Sequence, residues 1–241
     1  FHFHNQRRAR QWPNSLSATS THDTKRSEDV RARINVLSEI PARWYRSVLR
    51  WQNLNREKKT KLDELPAPDA NEEYLFYQTL AGAWPLTLMD AETYSAFVQR
   101  IEEYLIKALR EAKIHSSWIS PNDGYEQAVR QFVHSALEQN EGNDFLKSFI
   151  EFQATVSRAG IFNSLSQLLL KIAAPGLPDF YQGTELWNFS LVDPDNRRPV
   201  DYARLKEMLA SLDNQTQNDA SPFVTELLDR PEDGRIKLYL T

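Results

Sequence analysis

Leu16-Ser-Ala-Thr-Ser-Thr-His-Asp-Thr-Lys-Arg-Ser-Glu-Asp-Val-Arg-Ala-Arg33 runs from a short strand-like segment through a polar pair, His22-Asp23, into a charged helical pattern. The order of residue types predicts a strand over residues 16–21 that delivers Asp23 to its end. A carboxylate at the carboxyl end of a strand is placed where β/α architectures do chemistry. By residue type alone a turn aspartate or a helix N-cap is a commoner role for such a residue than catalysis. Both readings stay open on this stretch taken alone.

A second dense stretch is Ala174-Pro-Gly-Leu-Pro-Asp-Phe-Tyr-Gln-Gly-Thr-Glu-Leu-Trp187, followed by Leu191-Val-Asp-Pro-Asp-Asn-Arg-Arg-Pro-Val-Asp201. Gly176 and Pro178 break helix on both sides of a very short strand expected over residues 177–181, and Gly183 lets the backbone turn without a side chain. The pattern Pro175-Gly-x-Pro-x-x-Tyr181-x-Gly183-x-Glu185 resembles the last barrel strand and following loop of the α-amylase superfamily, and His22-Asp23 resembles its seventh-strand motif. The fuller wording from Thr21 to Arg31 and from Pro178 to Trp187 is narrower. It resembles the maltooligosyl trehalose synthase family, glucan mutases that rearrange the reducing-end linkage of maltodextrins. The likeness is specific over residues 18–40 and 174–202 and weak elsewhere.

Composition bounds the alternatives. A chain of 241 residues can build a sizeable core in one or two domains. Its net charge of −4 argues against a nucleic-acid or acidic-membrane partner. With no cysteine, neither disulfides nor thiolate metal sites are available. No apolar run approaches the roughly 18 residues of a membrane span, and the N-terminus has no signal-peptide layout. A cytoplasmic protein without cofactor or metal is the expectation. The opening Phe1 and the apolar ending at Leu240-Thr241 read as cuts from a longer polypeptide.

Residues 1–15 carry no decisive pattern. His2 and His4 share a face only if that segment is a strand, and no third metal ligand accompanies them. Ser27 is placed to cap a helix whose first turn holds Glu28 and Asp29, where negative charge suits the helix dipole. Val30, Ile34 and Leu37 form its apolar stripe, Arg31 and Arg33 a solvated face, and Pro41 its end.

Trp44, Val48, Trp51 and Leu54 mark an amphipathic helix over residues 42–61 whose tryptophans read as core. Leu65-Pro-Ala-Pro68 reads as an extended linker. Asp69-x-x-Glu72 is a capping box, Asp90 caps the next helix, and residues 120–124 form a turn. Further helices carry Tyr125, Val129, Phe132 and Ala136, then Phe145, Phe149, Phe152 and Val156, with Gly160 as punctuation before Leu165. Asp193-Pro-Asp-Asn-Arg-Arg198 has acids at calcium-loop spacing but lacks the glycine and terminal glutamate of an EF-hand, and is rejected as one. Arg197 and Arg198 read instead as partners of Asp193 and Asp195. Asp201 caps a helix, and residues 214–221 read as a polar linker.

About 150 residues, nearly all helical, separate Asp23 from Leu177, where an ordinary βαβ unit takes about 30. The expected fold is therefore mainly α. It combines a bundle-like helical insertion, residues 42–157, with the last two βα units of a (β/α)8 barrel, residues 1–41 and 158–213, before a linker and C-terminal region, residues 214–241.

The resemblance implies retaining glycosyl chemistry, which uses two carboxyl groups about 5 Å apart, one as nucleophile and one as acid then base. The superfamily adds a third carboxylate that holds sugar hydroxyls. By resemblance Asp23 is that third acid and His22 binds substrate beside it. Lys25, Arg26, Tyr181, Gln182 and Glu185 are candidate substrate-binding residues, with Tyr181 equally a packing aromatic and Glu185 equally the partner of a basic group elsewhere. The nucleophile and acid/base fall on earlier strands, so this chain alone is expected to be inert and to need the missing N-terminal barrel half as its partner and a maltooligosaccharide as substrate. The helical insertion is expected to help wall the sugar pocket against water. The competing expectations are an ordinary α-amylase-type hydrolase or transferase, and a non-catalytic helical interaction module.

Overall fold

A computed structural model describes residues 1–216 and 220–241, with the side chains of 214–222 outside the description. The chain divides into two compact units, Phe1–Arg33 with Ala159–Thr241, and Ile34–Arg158. The described structure is mostly helical, with two two-stranded sheets. No described helix is long and apolar enough to cross a membrane.

The Ile34–Arg158 unit is built on aromatic packing. Helix α3 (Pro41–Leu54) buries Trp44, Val48 and Trp51, the stripe its spacing predicts. The Trp51 ring is surrounded by Trp44, Tyr77, Phe145, Phe149 and Phe152, with centroids 5.3–5.9 Å away. Tilted and edge-on pairs at this spacing suit the ring quadrupoles. The indole N–H does not go unsatisfied, because Trp51 Nε1 donates to Ser148 Oγ at 3.1 Å.

Helix α4 (Ala70–Ala83) starts at the expected box: Asp69 accepts from Glu72 N at 2.8 Å and Glu72 Oε2 accepts from Asp69 N at 3.0 Å. Asp90 caps α5 (Ala91–Ala112), Asn122 caps α6 (Asp123–Ala136), and α7 (Asp144–Ala173) follows.

Two expectations for this unit need correction. The helix expected over residues 42–61 stops at Leu54, and the extended segment at Leu65 is a paired strand: β2 (Thr60–Leu62) meets β3 (Leu65–Ala67) in antiparallel register. The turn is Asp63-Glu64, both at positive φ of 48° and 69°. That is the handedness a two-residue hairpin requires, and it is usually signalled by Asn-Gly. Asp-Glu gave no such signal.

In the other unit, residues 2–11 form helix α1 (His2–Gln11) with no buried residue, so His2 and His4 do not share a face. Strand β1 (Leu16–Ala18) pairs in parallel with β4 (Leu177–Asp179), Leu16 opposite Leu177 and Ala18 opposite Asp179. Gly176, at φ +123°, is obligatory here: a Cβ would lie 2.6 Å from the Ser15 carbonyl oxygen. Helix α2 (Glu28–Glu39) follows β1. Helices α8 (Tyr202–Thr216), α9 (Ala220–Asp229) and α10 (Arg235–Leu240) complete the described chain. The linker expected over residues 214–221 is helical at both ends, and 217–219 lie outside the described residues.

Arg33 is not a solvated residue. It is 1% exposed, with its guanidinium carbon 3.6 Å from the centre of the Phe189 ring, and burial pulls its pKa down to about 9 against the pull of Asp29. Gly160 explains how it fits. A Cβ there would lie 2.4 Å from Arg33 Cγ, so Gly160 sits inside a continuous α7 to admit Arg33 rather than to break the helix.

Candidate functional site around Asp23

Asp23 lies five residues beyond the end of β1 in a tight polar turn. Thr21 N donates to Thr24 Oγ1 at 2.7 Å, and Thr24 N donates to the Thr21 carbonyl at 3.2 Å. The Asp23 carboxylate is 83% exposed and His22 is 63% exposed, with His22 Nε2 3.2 Å from Asp23 Oδ2. These two side chains present adjacent donor and acceptor groups to the outside while their backbone is held. Asn196 Nδ2 donates to the His22 carbonyl at 2.9 Å, and Tyr181 Oη donates to the Asn196 carbonyl at 3.1 Å.

The turn rests on a buried polar cluster. Lys237 is fully buried; its Nζ donates to Glu28 Oε1 at 2.9 Å, Asp29 Oδ2 at 2.8 Å and the Leu186 carbonyl at 3.3 Å. Asp29 Oδ2 also accepts from Asn188 N at 2.7 Å. Lys171 Nζ donates to Thr19 Oγ1 at 3.1 Å and to the Asp179 carbonyl at 3.2 Å, and lies 3.8 Å from Glu28 Oε2. Thr19 in turn donates its hydroxyl to Glu28, and its carbonyl accepts from Arg31. The ends of both strands are thus fixed from below by charges.

Electrostatics follow the geometry. Burial acts to raise the Glu28 pKa, but Lys237, the Thr19 hydroxyl and Lys171 outweigh it and hold the carboxyl below its ordinary value. Burial acts to lower the Lys237 pKa, and Asp29 with Glu28 reverses that, so it stays charged. Lys171 is pushed down by burial, only partly offset by Glu28. Burying charges in this way is tolerable only when every one is paired and hydrogen-bonded.

The structure therefore reassigns part of the narrow motif. Glu28 and Asp29, read as first-turn helix acids, are 5% and 1% exposed and bind lysines. Ser27 donates its hydroxyl to the Asn188 carbonyl, while Ser20 Oγ accepts from Glu28 N at 2.8 Å. Of the candidate binding residues, Lys25 is exposed beside the turn. Arg26 forms an isolated antiparallel bridge with Leu191, which ties its main chain to the loop after β4.

Gln182 is exposed on a cleft of about 330 Å³ that it shares with Trp187, Phe189, Asn196 and Arg198. Glu185 is half-buried, with Oε2 enclosed and, among the described residues, without a hydrogen-bond partner, unlike the open carboxylate of Asp23. Arg197 and Arg198 pair with Asp193 at 3.6 Å and Asp195 at 3.3 Å as expected. Asn196, Lys171 and Lys237 were not singled out by sequence. A buried lysine or asparagine has no periodic signature, and Lys237 reaches Glu28 across 209 residues of chain.

Among the described residues one three-ligand group has metal-like spacing, Asp69, Glu72 and His115 in the Ile34–Arg158 unit, with ligand atoms within 4.8 Å of one another. Its contacts are those of a helix cap. Asp69 Oδ1 and Glu72 Oε2 close the capping box, Tyr125 donates to Glu72, and His115 Nε2 lies 3.1 Å from Asp69 Oδ2.

No family model matches the chain. It is 39% identical over 212 residues to a Mycobacterium tuberculosis protein named for maltooligosyl trehalose synthase, in each of two strains. That alignment takes in 88% of this chain and 26% of the relative, so the chain spans about a quarter of the length of the curated relatives it matches. Among solved structures, a maltooligosyl trehalose synthase superposes on the whole chain with a TM-score of 0.82 at 40% identity, over 30% of its own length. The maltooligosyltrehalose synthase of Arthrobacter ramosus matches 99% of the chain with a TM-score of 0.79 at 35% identity, over 27% of its length. By sequence and fold together, the chain is similar to maltooligosyl trehalose synthases and is the counterpart of 26–30% of the length of those it matches.

Proposed function

We propose that this chain is a part of a glucosylmutase that converts the reducing-end α-1,4 linkage of maltooligosaccharides into an α,α-1,1 linkage, and that its contribution to the chemistry is Asp23. The observation that carries the reading is the His22-Asp23 turn. It follows a strand paired in parallel with the strand before Tyr181, and Asn196 links it to Tyr181. In the retaining mechanism a nucleophilic carboxylate displaces the terminal linkage while a second carboxyl protonates the leaving oxygen. Asp23, open and next to the His22 imidazole, accepts hydrogen bonds from the sugar hydroxyls as positive charge builds at the anomeric carbon. The released glucose then attacks through its own anomeric hydroxyl, and the acid/base takes that proton back.

In this reading the nucleophile and acid/base come from residues outside this chain, which alone is inert. β1 and β4 are the seventh and eighth strands of a barrel, and residues 42–157 are an insertion between them. Two features support a need for further strands. A parallel pair is ordinarily covered and extended on both sides, yet Leu16 and Leu177 are 67% and 51% exposed. Glu185 keeps an enclosed carboxylate oxygen without a partner among the described residues, as expected of a group awaiting a donor from elsewhere.

The test is a graft: this chain replaces its counterpart in the Arthrobacter ramosus enzyme, and maltopentaose is followed for reducing ends and free glucose. Loss of reducing ends with little glucose is expected. A rise in reducing ends would make the chain part of a hydrolase, and a folded graft without turnover would sink the proposal.

A further inference from the structure

The loop Asp193-Pro-Asp-Asn-Arg-Arg198, rejected above as a calcium loop, has its acids already engaged. Asp195 Oδ2 accepts from Leu191 N at 2.8 Å, and Asp195 and Asp193 pair with Arg198 and Arg197. What the loop offers instead is Asn196, only 9% exposed. Its side-chain amide donates to the carbonyl of His22 at 2.9 Å, and the oxygen of that carbonyl belongs to the peptide group whose nitrogen is Asp23 N. The Asp23 N–H is held by Thr21 Oγ1 at 3.3 Å. The peptide plane joining His22 to Asp23 is therefore gripped at both ends, by a side chain from 174 residues away and by its own turn. The main-chain carbonyl of Asn196 simultaneously accepts from Tyr181 Oη. Two further stitches, the Arg26–Leu191 bridge and Ser27 N to the Ser190 carbonyl at 3.0 Å, fasten the same two segments.

We infer that Asn196 is a positioning residue: its amide fixes the His22–Asp23 peptide so that the otherwise exposed Asp23 carboxylate meets the sugar in one orientation. The inference rests on the role proposed for Asp23. A carboxylate that is 83% exposed is oriented by little beyond His22, whose Nε2 lies 3.2 Å away, so the backbone that places both side chains decides where it stands. Small displacements of a reacting group cost far more in the transition state than in substrate binding.

The experiment uses the same graft, with maltopentaose as substrate. Asn196→Asp keeps size and removes the donor facing the His22 carbonyl. Its kcat is expected to fall about 10- to 100-fold with KM within about 3-fold. Asn196→Ser, which keeps a shorter donor, is expected to fall between wild type and Asn196→Ala, and serves if the aspartate variant does not fold. In an Asp23→Asn background, Asn196→Asp is expected to add less than about 3-fold, because the two act as one unit. Full kcat in a folded Asn196→Asp graft overturns the inference alone, as does an undiminished loss in the Asp23→Asn background, which would mark Asn196 as merely structural. A wild-type graft without mutase activity overturns the function and this inference with it.

Discussion

The two compact units differ in what lies at their centres. In Ile34–Arg158, Trp51 is 0% exposed amid five aromatic rings, and the buried carboxylates Glu73 and Glu126 pair with the less buried Lys59 and Arg110 toward its surface. In the other unit a wholly buried lysine, Lys237, is the hub. It holds two carboxylates, while Phe1, Phe3, Leu16, Phe162 and Leu170 stay more than half exposed. Non-directional packing tolerates drift, whereas a charge hub fixes atoms because each partner must be met at hydrogen-bond distance. The unit that presents Asp23 is the one centred on a wholly buried charge.

The comparison can be broken most forcefully at the two hubs. Lys237→Met leaves Glu28 and Asp29 buried without their ammonium, and is expected to cost about 3–5 kcal/mol. Hydrogen exchange followed by mass spectrometry should show the loss in peptides from Phe1–Arg33 and Ala159–Thr241, with Ile34–Arg158 little changed. Trp51→Ala should cost a similar ~3–5 kcal/mol with the opposite distribution. If either substitution loosens both units equally, the division is wrong.

Smaller effects sharpen the contrast. Gly160→Ala drives a methyl into Arg33 and is expected to cost about 1–3 kcal/mol in urea unfolding, although glycine-to-alanine within a helix otherwise stabilises. Asp90→Ala, which removes an exposed cap in the aromatic unit, should lower the urea midpoint least of these substitutions. Stability should also respond to pH through the charge hub. The Glu28 pKa is depressed, so its contribution is complete above the ordinary value of 4.5 and is lost as pH falls through the lower folded value. Lys237 is raised, so its contribution is complete below 10.5 and is lost as pH rises through the folded value. Urea midpoints against pH should fall at both ends in the wild-type chain and less steeply at the alkaline end in Lys237→Met, where lowered groups such as Glu126 and raised ones such as Tyr77 still leave a residual dependence.

The aromatic unit was largely legible in the sequence because helical spacing and caps are local. Trp44, Val48 and Trp51 recur on one face, Asp69 and Glu72 stand at capping-box spacing, and Asp90 precedes its helix. The β2–β3 hairpin was missed because Asp63-Glu64 takes left-handed conformations without the residues that usually announce them. Around Asp23 the strands and breakers could be read, as could the Asp193–Arg197 and Asp195–Arg198 pairs. The groups that hold the turn could not. Arg33 looks solvated until Gly160 and Phe189 are brought to it. Lys171, Asn196 and Lys237 acquire meaning only through contacts 152, 174 and 209 residues away. No local pattern encodes such separations.

The most direct measurement of the account is the graft carrying Asp23→Asn, compared with the unsubstituted graft on maltopentaose under single-turnover conditions. The account predicts that the substituted protein folds, half-saturates with sugar within a few-fold of the unsubstituted graft, and turns over the bound sugar about 10³-fold or more slowly. Unchanged turnover would return Asp23 to being a turn residue and contradict the function proposed for this chain.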